Sequence, residues 1–141
     1  MPESTLSVEH LFTLTARTGP AATVVGGPHG TRGVTAFASG TFAGPKLRGA
    51  LAEGLGADWL VARQDGSLRL DVRLVLQTED GATILMTYSG IGVRTADGYA
   101  LRIAPQFETG HEDYLWLNTL QAVGIGTPGQ DSVTYEVYAL L

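Results

Sequence analysis

Three Asp-Gly pairs, Asp65-Gly66, Asp80-Gly81 and Asp97-Gly98, divide the middle of this chain into strand-length pieces. Asp-Gly is a strong hairpin signal, because glycine adopts positive φ without steric cost and Asp tolerates it. Between the first two pairs the residues alternate. Leu68, Leu70, Val72, Leu74 and Leu76 fall on one face, and Arg69, Asp71, Arg73, Val75 and Gln77 on the other. A period of two sustained this long predicts a strand. Ile84, Met86 and Tyr88 alternate after the second pair, and Tyr99, Leu101 and Ile103 after the third. With Asp58 to Arg63 ahead of the first pair, four consecutive strands joined by short turns make an antiparallel meander.

The flanks extend it. His10 to Arg17 and Gly33 to Phe42 read as further strands, and Val133, Tyr135 and Val137 mark a terminal one. Thr109-Gly110-His111-Glu112 fits a capping box, with Thr109 at N-cap and Glu112 at N3, so one short helix is expected over about 110–118. Many short strands and one helix predict an all-β fold: a closed antiparallel β-barrel of about eight to nine strands. Closure removes the exposed edges that an open sheet of this size would carry. The 141 residues make a single domain, 1–141.

Charge and composition exclude several functions. The net charge is −5, which argues against nucleic acid or an anionic membrane, since both are bound through clustered Lys and Arg. Cysteine is absent, so disulfides, thiolate metal sites and a Cys nucleophile are excluded. His10, His29 and His111 show no metal-ligand spacing, and no metal or cofactor is expected. Residues 1–10 are polar, with no apolar targeting core, and no run reaches the ~20 apolar residues of a membrane span. The expected compartment is the cytoplasm.

Gly124-Ile125-Gly126-Thr127-Pro128-Gly129 matches G-x-G-x-x-G, but Pro128 interrupts it and a strand follows in place of the helix a dinucleotide site needs. It reads as a glycine-rich strand exit and turn. Asp71 and Arg73 share a face, and two placements are open. They lie on a solvated outer wall, or they line the lumen while the leucines are covered elsewhere. Asp58 beside Trp59 is either a turn residue next to a core indole or a carboxyl at a barrel mouth, where pockets form. Trp116 and Asn118 are a plug and a helix cap, or part of the same pocket.

The blocks Gly40-Thr41-Phe42-Ala43-Gly44-Pro45-Lys46-Leu47-Arg48-Gly49, Gly56-Ala57-Asp58-Trp59, Asp65 to Arg73, Ala104 to Gly110 and Tyr114-Leu115-Trp116-Leu117-Asn118 occur in order. Together they resemble the bacterial and fungal family known as domain of unknown function 3237, over roughly residues 8–141. The resemblance implies a small barrel of the lipocalin or streptavidin type. It also implies that Asp58-Trp59, Asp71-x-Arg73 and Trp116-Leu117-Asn118 are family features, which shifts Arg73 toward the lumen. Ser39 and Ala104 depart from the family pattern, so a substrate does not transfer with the fold.

The expected function is that of a cofactor-independent enzyme of the isomerase, cyclase or lyase type. It would carry out acid–base chemistry in the lumen on a small apolar, aromatic or polyketide-like molecule. Asp58 is the expected acid or base, Arg73 the anion holder and Glu108 the reserve acid. Trp59, Asp71, Tyr88, Arg102, Trp116 and Asn118 are the expected substrate contacts. The alternative is a lipocalin-like protein that binds such a ligand without reaction. Outward apolar positions make a homodimer the expected assembly.

Overall fold

The computed structural model describes residues 2–141 and contains ten strands. They are β1 (Val8–Gly27), β2 (Gly30–Ala43), β3 (Arg48–Leu51), β4 (Ala57–Ala62), β5 (Leu68–Thr78), β6 (Thr83–Thr95), β7 (Gly98–Ile103), β8 (Gln106–Glu108), β9 (Ala122–Gly129) and β10 (Ser132–Leu140). All pairings are antiparallel. Neighbours run β5-β4-β2-β1-β10-β9-β7-β6, and the β5–β6 pairing closes the ring. The barrel therefore has eight staves, two of them broken. β3 and β4 both bridge β2 to β5, and β7 and β8 both pair with β6.

The Asp-Gly pairs turn where the alternation predicts. Gly66, Gly81 and Gly98 all carry positive φ, at 84°, 96° and 128°. On β5 the leucine face is inside: Leu70, Val72, Leu74 and Leu76 are buried, while Arg69, Asp71 and Arg73 are exposed. That removes the inverted placement, because a wall that puts leucine against the core must put the intervening charges outside.

One end of the barrel is sealed. Phe12 packs edge-on against Phe42 and Phe107, with ring centroids 5.6 and 5.9 Å apart. Such aromatic pairs add about 0.5–1.5 kcal/mol each beyond their burial. A single 3-10 helix, Glu112–Thr119, lies across this end and inserts Tyr114 and Leu117. Its N-cap is His111, whose ring nitrogen accepts from the Asp113 N–H. The expected Thr109 capping box is therefore displaced. The Thr109 hydroxyl donates instead to the Thr83 carbonyl at 2.8 Å and accepts from the His111 N–H.

The sequence reading undercounts three regions. β1 and β2 form a long hairpin that extends past the end of β10, whose pairing with β1 stops at Arg17–Ser132. β3 and β8 are too short to show a period. β9 runs through the glycine-rich segment read as a turn, because its glycines are required inside the barrel.

Candidate functional site: an acid in the open end of the barrel

The end opposite the helix is open. Here a cavity of about 270 Å³ enters the lumen, lined by Phe37, Leu70, Leu101, Tyr99, Tyr135 and Asp58 among others. That volume lies just under the usual range for ligand sites, ~300–1,000 Å³. Gly124 and Gly126 of β9 face inward and make room for the Ile103 side chain and the Tyr135 ring. A methyl group at position 126 would collide with the Tyr135 ring.

Cross-strand register positions the polar groups. Thr35 of β2 lies opposite Asp58 of β4, which lies opposite Val72 of β5, which lies opposite Tyr88 of β6. Directly paired residues point to the same face, so this row places Thr35, Asp58 and Tyr88 together inside the barrel. The β4–β5 ladder is interrupted beside Asp58, with no pairing recorded at Trp59 and Leu60. Side chains take the backbone groups released there. The Asp71 N–H donates to Asp58 Oδ1 at 3.2 Å, and Arg32 donates to the Trp59 carbonyl at 3.3 Å.

Asp58 is 9% exposed. Burial pushes its carboxyl up from 3.8 to about 6, helped by the nearby Asp71 charge and opposed by the Asp71 N–H. Tyr88 is buried, and its hydroxyl meets no hydrogen-bond partner. Its ring lies edge-on to Tyr135 at 5.5 Å. Burial raises both: Tyr88 well above its ordinary value, and Tyr135 to about 12. Both therefore stay protonated, and Tyr135 lines the cavity. At the rim, the Tyr99 hydroxyl accepts from Arg94 at 2.9 Å. Asp131, in the β9–β10 turn, sits at φ 57°, the only positive value on a non-glycine among the described residues. Asp tolerates this left-handed turn conformation.

Of the expected site residues, only Asp58 and Tyr88 meet in the lumen. Arg73, Asp71 and Arg102 are on the outer wall, and Arg102 donates to the Leu101 carbonyl at 3.0 Å. Glu108 follows the buried Phe107 and so faces outward by alternation. Trp59 is on the outer wall too, 47% exposed. Trp116 lies at the sealed end with Lys46 over its ring, 5.4 Å from the centroid. Asn118 bridges the Thr109 N–H and carbonyl at 2.8 and 2.9 Å, which locks the helix onto the barrel. The reading missed Tyr135, Tyr99 and Thr35. Tyr135 was detectable as the lone phenol between Val133 and Val137 on an inward face.

The residues lining this cavity include no arginine, lysine or histidine. Among the described residues no three His, Asp or Glu converge as a metal site, and no helix is long and apolar enough to cross a membrane.

Fold and lumen together define a small closed β-barrel with a cavity of about 270 Å³ and a buried acid at its open end. The chain belongs to the family described as "Protein of unknown function (DUF3237)", whose model matches residues 6–140. It is similar to the UPF0311 protein RPA1785 of Rhodopseudomonas palustris, 27% identical over 97% of this chain and 98% of that one. A β-barrel-like protein from Acinetobacter baumannii superposes with a TM-score of 0.90 at 28% identity, covering 99% of each chain. The hydroalkoxylation enzyme phnH of Penicillium herquei is 32% identical over 94% of this chain and 81% of that protein.

Proposed function

We propose that this protein is a cofactor-independent enzyme that adds an O–H group across a carbon–carbon double bond of a compact, uncharged molecule, or reverses that addition, inside the barrel. The observation that carries the proposal is Asp58, a carboxyl held in the lumen with its pKa raised to about 6. A group titrating there supplies both acid and base near neutral pH. The fungal relative, named for hydroalkoxylation, supports the reaction class.

The chemistry needs one proton in and one proton out. The Asp58 carboxylic acid gives its proton to one alkene carbon while a hydroxyl oxygen bonds to the other. The C–C π bond and the O–H bond break, and the hydroxyl proton returns to the Asp58 carboxylate. Tyr135 stays neutral and holds the ligand oxygen as a hydrogen-bond donor. A lining without a cation favours a neutral ligand over a carboxylate, since a buried anion without a counter-charge is costly. Arg73, outside the barrel, takes no part.

The test is Asp58→Asn with a panel of hydroxyl-bearing alkenes. The variant should bind a ligand of the wild-type protein but lose about 10²- to 10⁴-fold in turnover, the usual contribution of a positioned acid or base. Unchanged turnover removes Asp58 from the mechanism. Wild-type protein that binds these molecules and converts none of them is a carrier.

A further inference from the structure

The outer wall over β2, β4 and β5 is unlike a solvated surface. Val34 lies opposite Trp59, and Arg32 lies opposite Val61, which lies opposite Arg69. Arginine, tryptophan and aliphatic residues alternate here, and the outward positions of these strand segments hold neither lysine nor glutamate. Enrichment in Arg and aromatics with depletion of Lys and Glu is the compositional mark of a protein–protein interface. Trp59 and the neighbouring Leu55 are 47% and 66% exposed. Among the described residues, no arginine of this wall has a carboxylate within ion-pair distance.

The same face continues onto the β1–β2 hairpin, where Val24 lies opposite Arg32. Beyond Thr18, whose N–H still donates to the Asp131 carbonyl at 3.0 Å, β1 pairs with β2 alone. From Thr18 to Pro28 the chain has no charged residue, so this free edge lacks the lysines that usually guard one. The chain exposes 8391 Å², against ~7,000 Å² for a monomeric protein of its mass.

We propose that this wall is where a second copy of the chain docks, related by a two-fold axis. The occupant follows from charge. Along the outer face of β5, Arg69, Asp71 and Arg73 alternate in sign. When a two-fold mate brings its β5 across antiparallel, with the axis at Val72, Asp71 faces the partner subunit's Arg73 and Arg73 faces the partner subunit's Asp71. The surface is thus its own complement, as an isologous interface requires. A standard interface takes about 800 Å² from each partner, roughly a tenth of this molecule's surface. Nucleic acid would match the arginines but not the intervening Trp59, Val34 and Val61.

The proposal is independent of the chemistry assigned to Asp58, which lies on the opposite face of β4. It is tested on the full chain by sedimentation velocity at tens of micromolar, with circular dichroism to confirm folding. The wild-type protein should sediment at twice 14.8 kDa. Arg73→Asp sets carboxylate against carboxylate and should give monomer. The swap Asp71→Arg with Arg73→Asp restores both pairs and should restore the dimer. Trp59→Ala should weaken association about 30-fold, the size of an aromatic hot spot. A wild-type monomer overturns the proposal. So does a dimer indifferent to Arg73→Asp and Trp59→Ala, or one that the swap fails to restore.

Discussion

The two ends of this barrel are built from the same eight staves and treat polar groups in opposite ways. At the sealed end, polar side chains are tied down. The Tyr114 hydroxyl donates to Asp80 at 2.7 Å, Thr78 donates to the other Asp80 oxygen, and Asn118 brackets Thr109. Between them the phenylalanines interlock. At the open end, a carboxyl is held at a raised pKa and a buried tyrosine hydroxyl has no partner. The departures at the open end lie where a ligand can compensate; toward the sealed end, His10 Nε2 is a buried nitrogen without a hydrogen-bond partner. The sealed end supplies the stability that lets the open end remain unsatisfied.

That contrast is most directly broken at Phe12, which is fully buried and touches both Phe42 and Phe107. Phe12→Ala should cost about 3–5 kcal/mol in urea unfolding, while the fraction still folded keeps its ligand affinity. A loss below about 1 kcal/mol would mean that the sealed end is not what holds the barrel shut.

Asp58→Asn should act in the opposite direction. The carboxyl has a pKa of about 6 in the folded protein against an ordinary value of 3.8. A raised acid means that the folded state binds the proton more tightly, so ionisation opposes folding. The penalty, about 3 kcal/mol, is complete above pH 6 and absent below pH 3.8. Asparagine never ionises and can still accept from the Asp71 N–H. The variant should therefore be the more stable protein at pH 7.5, with the advantage shrinking to nothing near pH 3.8, and it should be inactive. Equal urea midpoints for the two proteins at pH 7.5 would show that Asp58 is solvated and not an unsatisfied lumen acid. Asp80 has the reverse sign. Hydrogen bonds from Thr78 and then Tyr114 hold its pKa below 3.8, so its contribution is present at neutral pH and lost as pH falls through the lowered value. Acid loosens the sealed end while it relieves the open one.

A smaller effect is expected at Gly126. A methyl group there meets the Tyr135 ring, which lines the cavity. Gly126→Ala should cost about 1–3 kcal/mol by overpacking and weaken ligand binding as the phenol moves into the cavity. Wild-type affinity in this variant would show that Tyr135 does not border the ligand.

The sequence made the scaffold far more legible than the site. Alternation on β5 and the Asp-Gly turns located the meander, because both signals are local. Asp58 and Tyr88 were found as single residues, yet nothing local links them: they come together through register across β4, β5 and β6. The Gly124–Gly129 segment misled because glycine in a strand looks like a turn until the side chain it makes room for, Tyr135 on the neighbouring strand, is known. The errors over Arg73, Asp71 and Arg102 had another source. The pattern of Asp71 and Arg73 alone allowed a solvated face, and the family resemblance tilted the choice toward the lumen; Arg102 followed because its alternation with Leu101 and Ile103 lets it share a face with Arg73. A motif can recur in a family because a wall is used as well as because a pocket is.

The smallest effect is expected at Arg73, and it tests that last point. Arg73→Met keeps the bulk and removes the charge. Inside a lumen, an arginine holding an anion would cost about 1.5–3 kcal/mol of ligand binding when replaced. Arg73 is exposed on the outer face of β5, separated from the cavity by the strand itself, while Leu74 and Val72 point inward. The expected result is a change in protomer stability within about 0.5 kcal/mol and turnover unchanged, even where self-association weakens. Turnover should be read over a range of protein concentrations, because a dependence on concentration would signal a site completed by the second copy. A fall in turnover at every concentration, with the fold intact, would instead couple the wall to the lumen. The shortest route for such coupling is the Asp71 N–H, two residues away, which carries the hydrogen bond to Asp58.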